Sequence, residues 1–199
     1  MIGAIVATLL PLCFLIILFG GGAHFLRNNI EQDGEAPIHR TLFYLSKYSI
    51  LAIWGAMVLQ IWGISLSVIT VPPLIEVLGL AAWFFGFAFL YLGRLEMGSS
   101  FRLGSPKEPT RLKVGGLFSV SRNPMYIGMY ATVVASVLST LNPVVMVLGA
   151  FVIAIHHSIV LAEESHMQKV FGLEYLDYCN RVRRYIYLRE CRTNREAER

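Results

Sequence analysis

The chain has 199 residues, of which 55% are hydrophobic and 15% are charged, with a formal net charge of +4. Soluble domains carry about 45–50% apolar and about 25% charged residues, so this composition excludes an ordinary water-soluble globular protein. The apolar residues occur in long uncharged blocks. These blocks predict an all-α integral membrane protein, because a helix satisfies its own backbone polar groups in lipid.

Four apolar blocks predict about five transmembrane helices, because one span needs roughly 20 apolar residues. The last block is too long for one span, and Asn142-Pro143 within it is a turn signal. That block therefore predicts a hairpin of two helices, residues 126–140 and 144–163. In chain order the four blocks cover residues 2–25, 48–71, 74–92 and 125–161.

All 17 Lys and Arg residues lie in three segments, which follow the first, third and fifth predicted spans. The positive-inside rule therefore predicts an outside N-terminus, a cytoplasmic C-terminus and a multi-pass protein, in the inner membrane if the source is bacterial. Basic residues beside the inner leaflet also account for the net charge, so we expect no nucleic-acid partner. The three cysteines are scattered, and we expect no metal site.

Residues 93–126 form a connection that is longer than the membrane topology requires. It is rich in Gly, Pro and basic residues, and long loops are often functional. The alternative is a disordered linker between helices. An ordered, functional loop is favoured because apolar residues interleave with the polar ones, namely Leu103, Leu112, Val114, Leu117, Phe118 and Val120.

The last predicted span ends at Glu163-Glu164 and contains His156-His157. Ionisable groups within a span are costly and indicate function by default. A spacing of seven residues is close to two helical turns, which predicts His156 near the face of Glu163 and His157 near that of Glu164. Carboxylates that mark the interface, with a neutral His bonded to a neighbouring helix, are the alternative, and both interpretations remain open.

Residues 161–187 predict a helix that leaves the membrane and bends at Gly172, with aromatic and basic residues at interfacial depth. The pattern is compatible with a membrane anchor and with a lid over a site.

Four motifs in fixed order resemble a known superfamily. They are Leu112…Gly116-Leu117-Phe118, Arg122-Asn123-Pro124-Met125-Tyr126, Glu163-Glu164 after an apolar hairpin, and Phe171-Gly172-Leu173-Glu174-Tyr175…Tyr178. From residue 98 to residue 187 the chain resembles the isoprenylcysteine carboxyl methyltransferase and phospholipid N-methyltransferase superfamily of membrane methyltransferases. The resemblance implies S-adenosylmethionine as cofactor, bound at the cytoplasmic membrane face. We therefore expect a three-span scaffold over residues 1–92 and a methyltransferase core over residues 93–199.

Three positions depart from the pattern of that superfamily. Asn123 stands where the motif often has His, Phe118 where Tyr is frequent, and Thr110 where another His often occurs. Asn variants resemble prokaryotic relatives, so methyl transfer remains the implied activity. The acceptor stays open between a carboxylate, a lipid amine and a thiol.

Methyl transfer from a sulfonium is an in-line displacement that needs aligned reactants at about 3–3.5 Å and no metal. Glu163 and Glu164 suit an ammonium and ribose hydroxyls, and Arg122 suits the carboxylate of donor or substrate. The expected catalytic residues are Arg122, Asn123, Glu163 and Glu164. The expected cofactor-binding residues are Leu112, Gly116, Phe118, Arg122, Asn123, Pro124, Tyr126, Glu163, Glu164 and Tyr175.

The prediction is S-adenosylmethionine-dependent methyl transfer to a lipophilic substrate from the inner leaflet, with membrane lipids as partners. His156 or His157 would serve as proton acceptor if the substrate loses a proton. A Rossmann-type methyltransferase is excluded because no G-x-G-x-x-G is present. The alternatives are a non-catalytic membrane scaffold of the same fold and an NADPH-binding, reductase-like membrane protein.

Overall fold

The computed structural model describes residues 2–27, 38–98 and 112–186 of the chain. No strand occurs in these ranges, which confirms the all-α class. A short 3-10 turn, Gly116–Ser119, precedes the fourth helix. The α-helices of these ranges are α1 (Ile2–Arg27), α2 (Arg40–Ile61), α3 (Pro73–Met97), α4 (Pro124–Thr140), α5 (Pro143–Phe171) and α6 (Leu173–Arg181).

Three of these helices, α2, α3 and α5, are long and apolar enough to cross a membrane. Shorter apolar stretches occupy Gly3–Leu18 in α1 and Pro124–Thr140, which is α4. The chain is thus a membrane protein. The count of five spans and their orientation stay predictions, and the predicted loop residues 99–111, with Thr110, lie outside the described ranges.

Helix α2 lies further towards the N-terminus than the apolar block at residues 48–71 predicted. It ends at Ile61, and Gly63 follows with a left-handed φ of +83°. The next turn is satisfied by side chains, because Gln60 Oε1 accepts from the Leu66 N–H at 2.8 Å and Asn142 Nδ2 donates to the Leu66 carbonyl at 2.7 Å. The helix can therefore end in an apolar turn at this point, because the backbone N–H and carbonyl of Leu66 both have hydrogen-bond partners.

Helices α3 and α4 form the most extensive helix pair, and glycine makes their approach possible. Gly86 faces Gly128 so closely that a Cβ built on Gly86 would lie 2.7 Å from the Gly128 carbonyl oxygen. A Cβ built on Gly128 would lie 2.6 Å from the Gly86 carbonyl oxygen. Small residues at such contacts are typical of membrane helix packing.

We expect Gly128→Ala to lower the free energy of unfolding by about 1–3 kcal/mol, because the added methyl forces the two backbones apart. Unfolding of the detergent-solubilised protein by increasing SDS measures the change. Gly55→Ala is the matched control, since nothing lies within 4 Å of a Cβ at that position. Equal stability of the two variants would contradict the close approach of α3 and α4.

Helix α1 is hydrogen-bonded to α3 next to a proline within α1. Pro11 has no N–H, so the carbonyl of Ala7 loses its helical donor. The indole N–H of Trp83 donates to that carbonyl at 3.1 Å, and the Tyr91 hydroxyl donates to the Leu10 carbonyl at 2.7 Å. The break in the α1 ladder is therefore repaired by α3, as backbone in a membrane requires.

Candidate active site

The 3-10 turn is fastened to the end of α3 by Glu96. The Leu117 N–H donates to both oxygens of the Glu96 carboxylate, at 3.1 and 2.8 Å. Gly116 has a φ of +60°, and a Cβ there would overlap the same carboxylate. Gly116 is thus required by the turn itself. Glu96 was not among the predicted residues, although it is an isolated carboxylate in the last turn of an apolar helix.

Arg122 follows this turn and is almost fully buried, with 2% of its side chain exposed. Its Nε and Nη2 donate to the two oxygens of Glu164, each at 3.2 Å. Nη1 donates to the carbonyls of Cys179 and Val182, at 3.4 and 3.3 Å. The two-pronged bond expected of Arg122 is therefore made to a carboxylate of the protein itself.

Among the residues that the structure describes, three side chains bind Glu164. Besides Arg122, it accepts from Asn123 Nδ2 at 2.9 Å and from Arg184 Nε at 2.9 Å. Asn123, at the position where the resembled superfamily often has His, thus supplies an N–H donor. It is also the N-cap of α4, with Pro124 as the first helical residue, where a missing N–H costs nothing. The ion pairs saturate Glu164.

Glu163 has a different environment from its neighbour. It accepts a hydrogen bond from the Tyr126 hydroxyl at 3.0 Å, and Tyr126 is its only hydrogen-bond or ion-pair partner among the described residues. The His156 ring lies 6.2 Å from the Tyr126 ring, in agreement with the seven-residue spacing. One carboxylate oxygen of Glu163 thus has no hydrogen-bond partner among the described residues.

Helix α5 ends at Phe171, and Gly172 follows with a φ of +53°, as the bend predicted there requires. The predicted continuation to residue 187 is wrong, because α6 ends at Arg181 and Val182 is extended. Residues 182–186, here called the strap, return across the Arg122 turn. Their carbonyls accept from the Arg122 N–H (to Arg183, 2.9 Å) and from the Ser121 hydroxyl (to Arg184, 2.9 Å). These bonds replace the helical ones.

The remaining predicted aromatic residues are buried beside the 3-10 turn. Phe118 and Tyr175 are 9% and 4% exposed. The Tyr178 hydroxyl donates to the Phe118 carbonyl at 2.6 Å, and burial raises the pKa of Tyr178, which keeps it a neutral donor. Leu112 packs against the cluster that contains Tyr175 and Tyr178. Their assignment to cofactor binding stays a prediction.

The strap adds a second polar cluster that the sequence did not reveal. The Tyr130 and Tyr185 hydroxyl oxygens are 3.3 Å apart, and Tyr185 lies 3.2 Å from His157 Nδ1. His156 is oriented differently, with Nδ1 2.9 Å from the carbonyl of Val152 on its own helix. The sole sequence signal for Tyr185 was its position as an aromatic residue among the basic residues of the tail.

Together these segments bring polar side chains of α4, α5 and the strap into contact at one end of an apolar bundle. Residues 51–174 match the family described as phospholipid methyltransferase. This match covers more than half of the chain, and the chain belongs to that family. It is thus a membrane methyltransferase by family. No curated protein and no solved structure matches it.

Proposed function

We propose that the protein transfers a methyl group from S-adenosylmethionine to a lipophilic acceptor drawn from the membrane. Family membership supports the reaction class. The observation that carries the proposal is the unequal state of the acidic pair. Arg122 and Arg184 neutralise Glu164, whereas the uncharged Tyr126 hydroxyl is the only partner of Glu163 within the described part of the chain. Glu163 therefore has no cationic partner among the described residues and lies beside an aromatic ring, which is where the proposal places a cationic ligand.

The residues fit the proposed cofactor, which carries an ammonium and a sulfonium. In the proposal the Glu163 carboxylate accepts hydrogen bonds from the ammonium or the ribose hydroxyls, and the Tyr126 ring faces the sulfonium cation. When bound, the cofactor supplies an electrophilic methyl group. The chain itself holds the acceptor in line at about 3–3.5 Å and excludes water, which together can provide several kcal/mol.

The proposed role of the Arg122 and Asn123 pair is to fix the position of Glu164. Because Glu164 follows Glu163 on α5, a rigid Glu164 also fixes the helix turn that presents Glu163. Arg122 reaches α6 and the strap through the Cys179 and Val182 carbonyls, so the same guanidinium connects three segments. Arg122 acts in this proposal as a positioning residue.

A phospholipid amine is the proposed acceptor, on the support of the family match. Membranes that contain the protein are supplied with S-adenosylmethionine labelled in its methyl group, and lipids are extracted. We expect label in a phospholipid headgroup that resists base, and none with Glu163→Gln membranes. Base-labile, volatile label would indicate a carboxyl ester instead, and no lipid label at all would contradict the proposal.

The site is proposed to face the cytoplasm, because the basic residues cluster at its end of the bundle. Single cysteines at Leu173, which is 80% exposed, and at Val68, which is 67% exposed, test this in a cysteine-free variant. In intact cells we expect a membrane-impermeant maleimide to label Val68→Cys only. Labelling of Leu173→Cys without permeabilisation would reverse the proposed orientation.

An NADPH-binding reductase is disfavoured by the charge at the site. NADPH carries several phosphate charges, whereas Arg122 and Arg184 are both engaged by Glu164 and the adjacent Glu163 would repel an anion. A non-catalytic scaffold does not require a carboxylate such as Glu163, which lacks a cationic partner among the described residues, beside a buried ion pair. Both alternatives predict that S-adenosylhomocysteine does not bind.

A further inference from the structure

Three polar groups beside the site are not used by the proposed cofactor binding. Tyr130 is in α4, Tyr185 in the strap and His157 in α5. Their contacts are consecutive, with 3.3 Å between the two hydroxyl oxygens and 3.2 Å from Tyr185 to His157 Nδ1. The rings also pack, with centroids 5.7 Å apart for the tyrosines and 6.0 Å for Tyr185 and His157. We call this arrangement the Tyr–Tyr–His chain.

One end of the Tyr–Tyr–His chain borders the proposed cation site. Tyr130 lies one helical turn from Tyr126 on α4, and their ring centroids are 6.4 Å apart. Tyr126 in turn donates to Glu163. The other end, His157, is two turns before Glu164 on α5. Hydroxyls can accept and donate a proton at once, so such a chain can carry a proton from the site to an imidazole.

Resting on the proposed methyl transfer, we propose that the Tyr–Tyr–His chain takes up the proton that the methyl acceptor loses. The acceptor heteroatom forms a bond to the methyl carbon while the methyl–sulfur bond breaks, and the electron pair stays on sulfur. The acceptor proton passes to the Tyr130 oxygen, the Tyr130 proton to Tyr185, and the Tyr185 proton to His157 Nδ1. The positive charge of the sulfonium thus ends on the imidazolium.

This relay defines the class of acceptor. An ionised carboxylate loses no proton when it is methylated and has no use for the chain. An amine or a thiol must lose one, and transfer to a positioned group typically contributes about 10²–10⁴-fold to such a rate. The inference therefore assigns three residues that carry the proton away from the protic acceptor, with Tyr130 as the group that meets it and His157 as the final base.

The kinetic test uses the full-length protein in vesicles that contain phosphatidylethanolamine, with S-adenosylmethionine as methyl donor. Tyr185→Phe keeps the ring and removes the hydroxyl, so we expect kcat to fall about 100-fold with an unchanged KM for S-adenosylmethionine. Tyr130→Phe should behave alike, and the double variant should be no slower than either single one. Tyr48→Phe, an exposed tyrosine, should leave kcat unchanged.

A spectroscopic test does not depend on turnover. In protein labelled with ¹⁵N-histidine, the resonances absent from His157→Gln belong to His157. We expect its Nδ1 signal to be that of a hydrogen-bond acceptor and to shift in Tyr185→Phe but not in Tyr48→Phe. An unshifted signal, or normal kcat in Tyr185→Phe with an active wild type, would overturn the relay alone. A wild type that transfers no methyl to lipid would overturn the relay together with the proposed function.

Discussion

Glu164→Gln is expected to lower the free energy of unfolding by about 3–5 kcal/mol, because it removes the counter-charge of two arginines. The Arg122 side chain is 2% exposed and that of Arg184 is 17% exposed, so water can replace little of the lost interaction. The amide keeps the shape of the side chain. The loss therefore reports charge rather than packing.

SDS-induced unfolding of the purified protein measures this change, with Glu174→Gln, an exposed carboxylate on α6, as control. The double variant Arg122→Gln, Glu164→Gln should lose less than the sum of the single losses, because the partners are removed together. A Glu164→Gln protein as stable as Glu174→Gln would show that the ion pair contributes nothing to the fold.

Glu163→Gln is expected to leave the fold intact and to weaken S-adenosylmethionine binding by about 30-fold or more, the effect of removing one partner from a poorly hydrated charge pair. The Tyr126 hydroxyl can still donate to the amide oxygen, so stability should remain close to that of the wild type. Equilibrium dialysis with labelled cofactor gives the affinity. Unchanged affinity in Glu163→Gln, or a loss of stability equal to that of Glu164→Gln, would refute the division of roles.

The convergence of the Arg122 turn with the acidic pair could be predicted from the sequence. The hairpin between α4 and α5 returns the chain to the end from which it came, and Asn142-Pro143 marks the reversal. The register of His156 relative to Glu163 follows from helical geometry alone. Turn residues and helical register are local properties that tertiary packing does not change, so they can be predicted from the sequence.

The division of labour within the acidic pair could not be predicted. Adjacent glutamates on a helix point about 100° apart, and the sequence does not say which of them meets Arg122. That choice depends on Arg184, which reaches Glu164 only because the strap reverses after Val182. A strap held by backbone carbonyls has no side-chain signature, and the basic tail indicated a continuing helix instead.

Composition was also insufficient to predict the close approach of α3 to α4 or the residue at which α2 ends. Gly79, Gly86 and Gly93 recur at seven-residue intervals on α3, but the sequence does not show which residues of α4 they face. The structure places them against Ser139, Gly128 and Met125, respectively. At α2, a block of apolar residues contained both a helix and a turn. Hydrophobicity does not separate the two when Gln60 and Asn142 satisfy the turn.

The most direct test of a cation site between Tyr126 and Glu163 is calorimetric titration of the purified wild-type protein with S-adenosylhomocysteine. We predict saturable binding in the micromolar range, strongly weakened in Glu163→Gln, and no saturation with NADPH. Absence of S-adenosylhomocysteine binding by a folded wild-type protein, or equal binding by the wild type and Glu163→Gln, would contradict it.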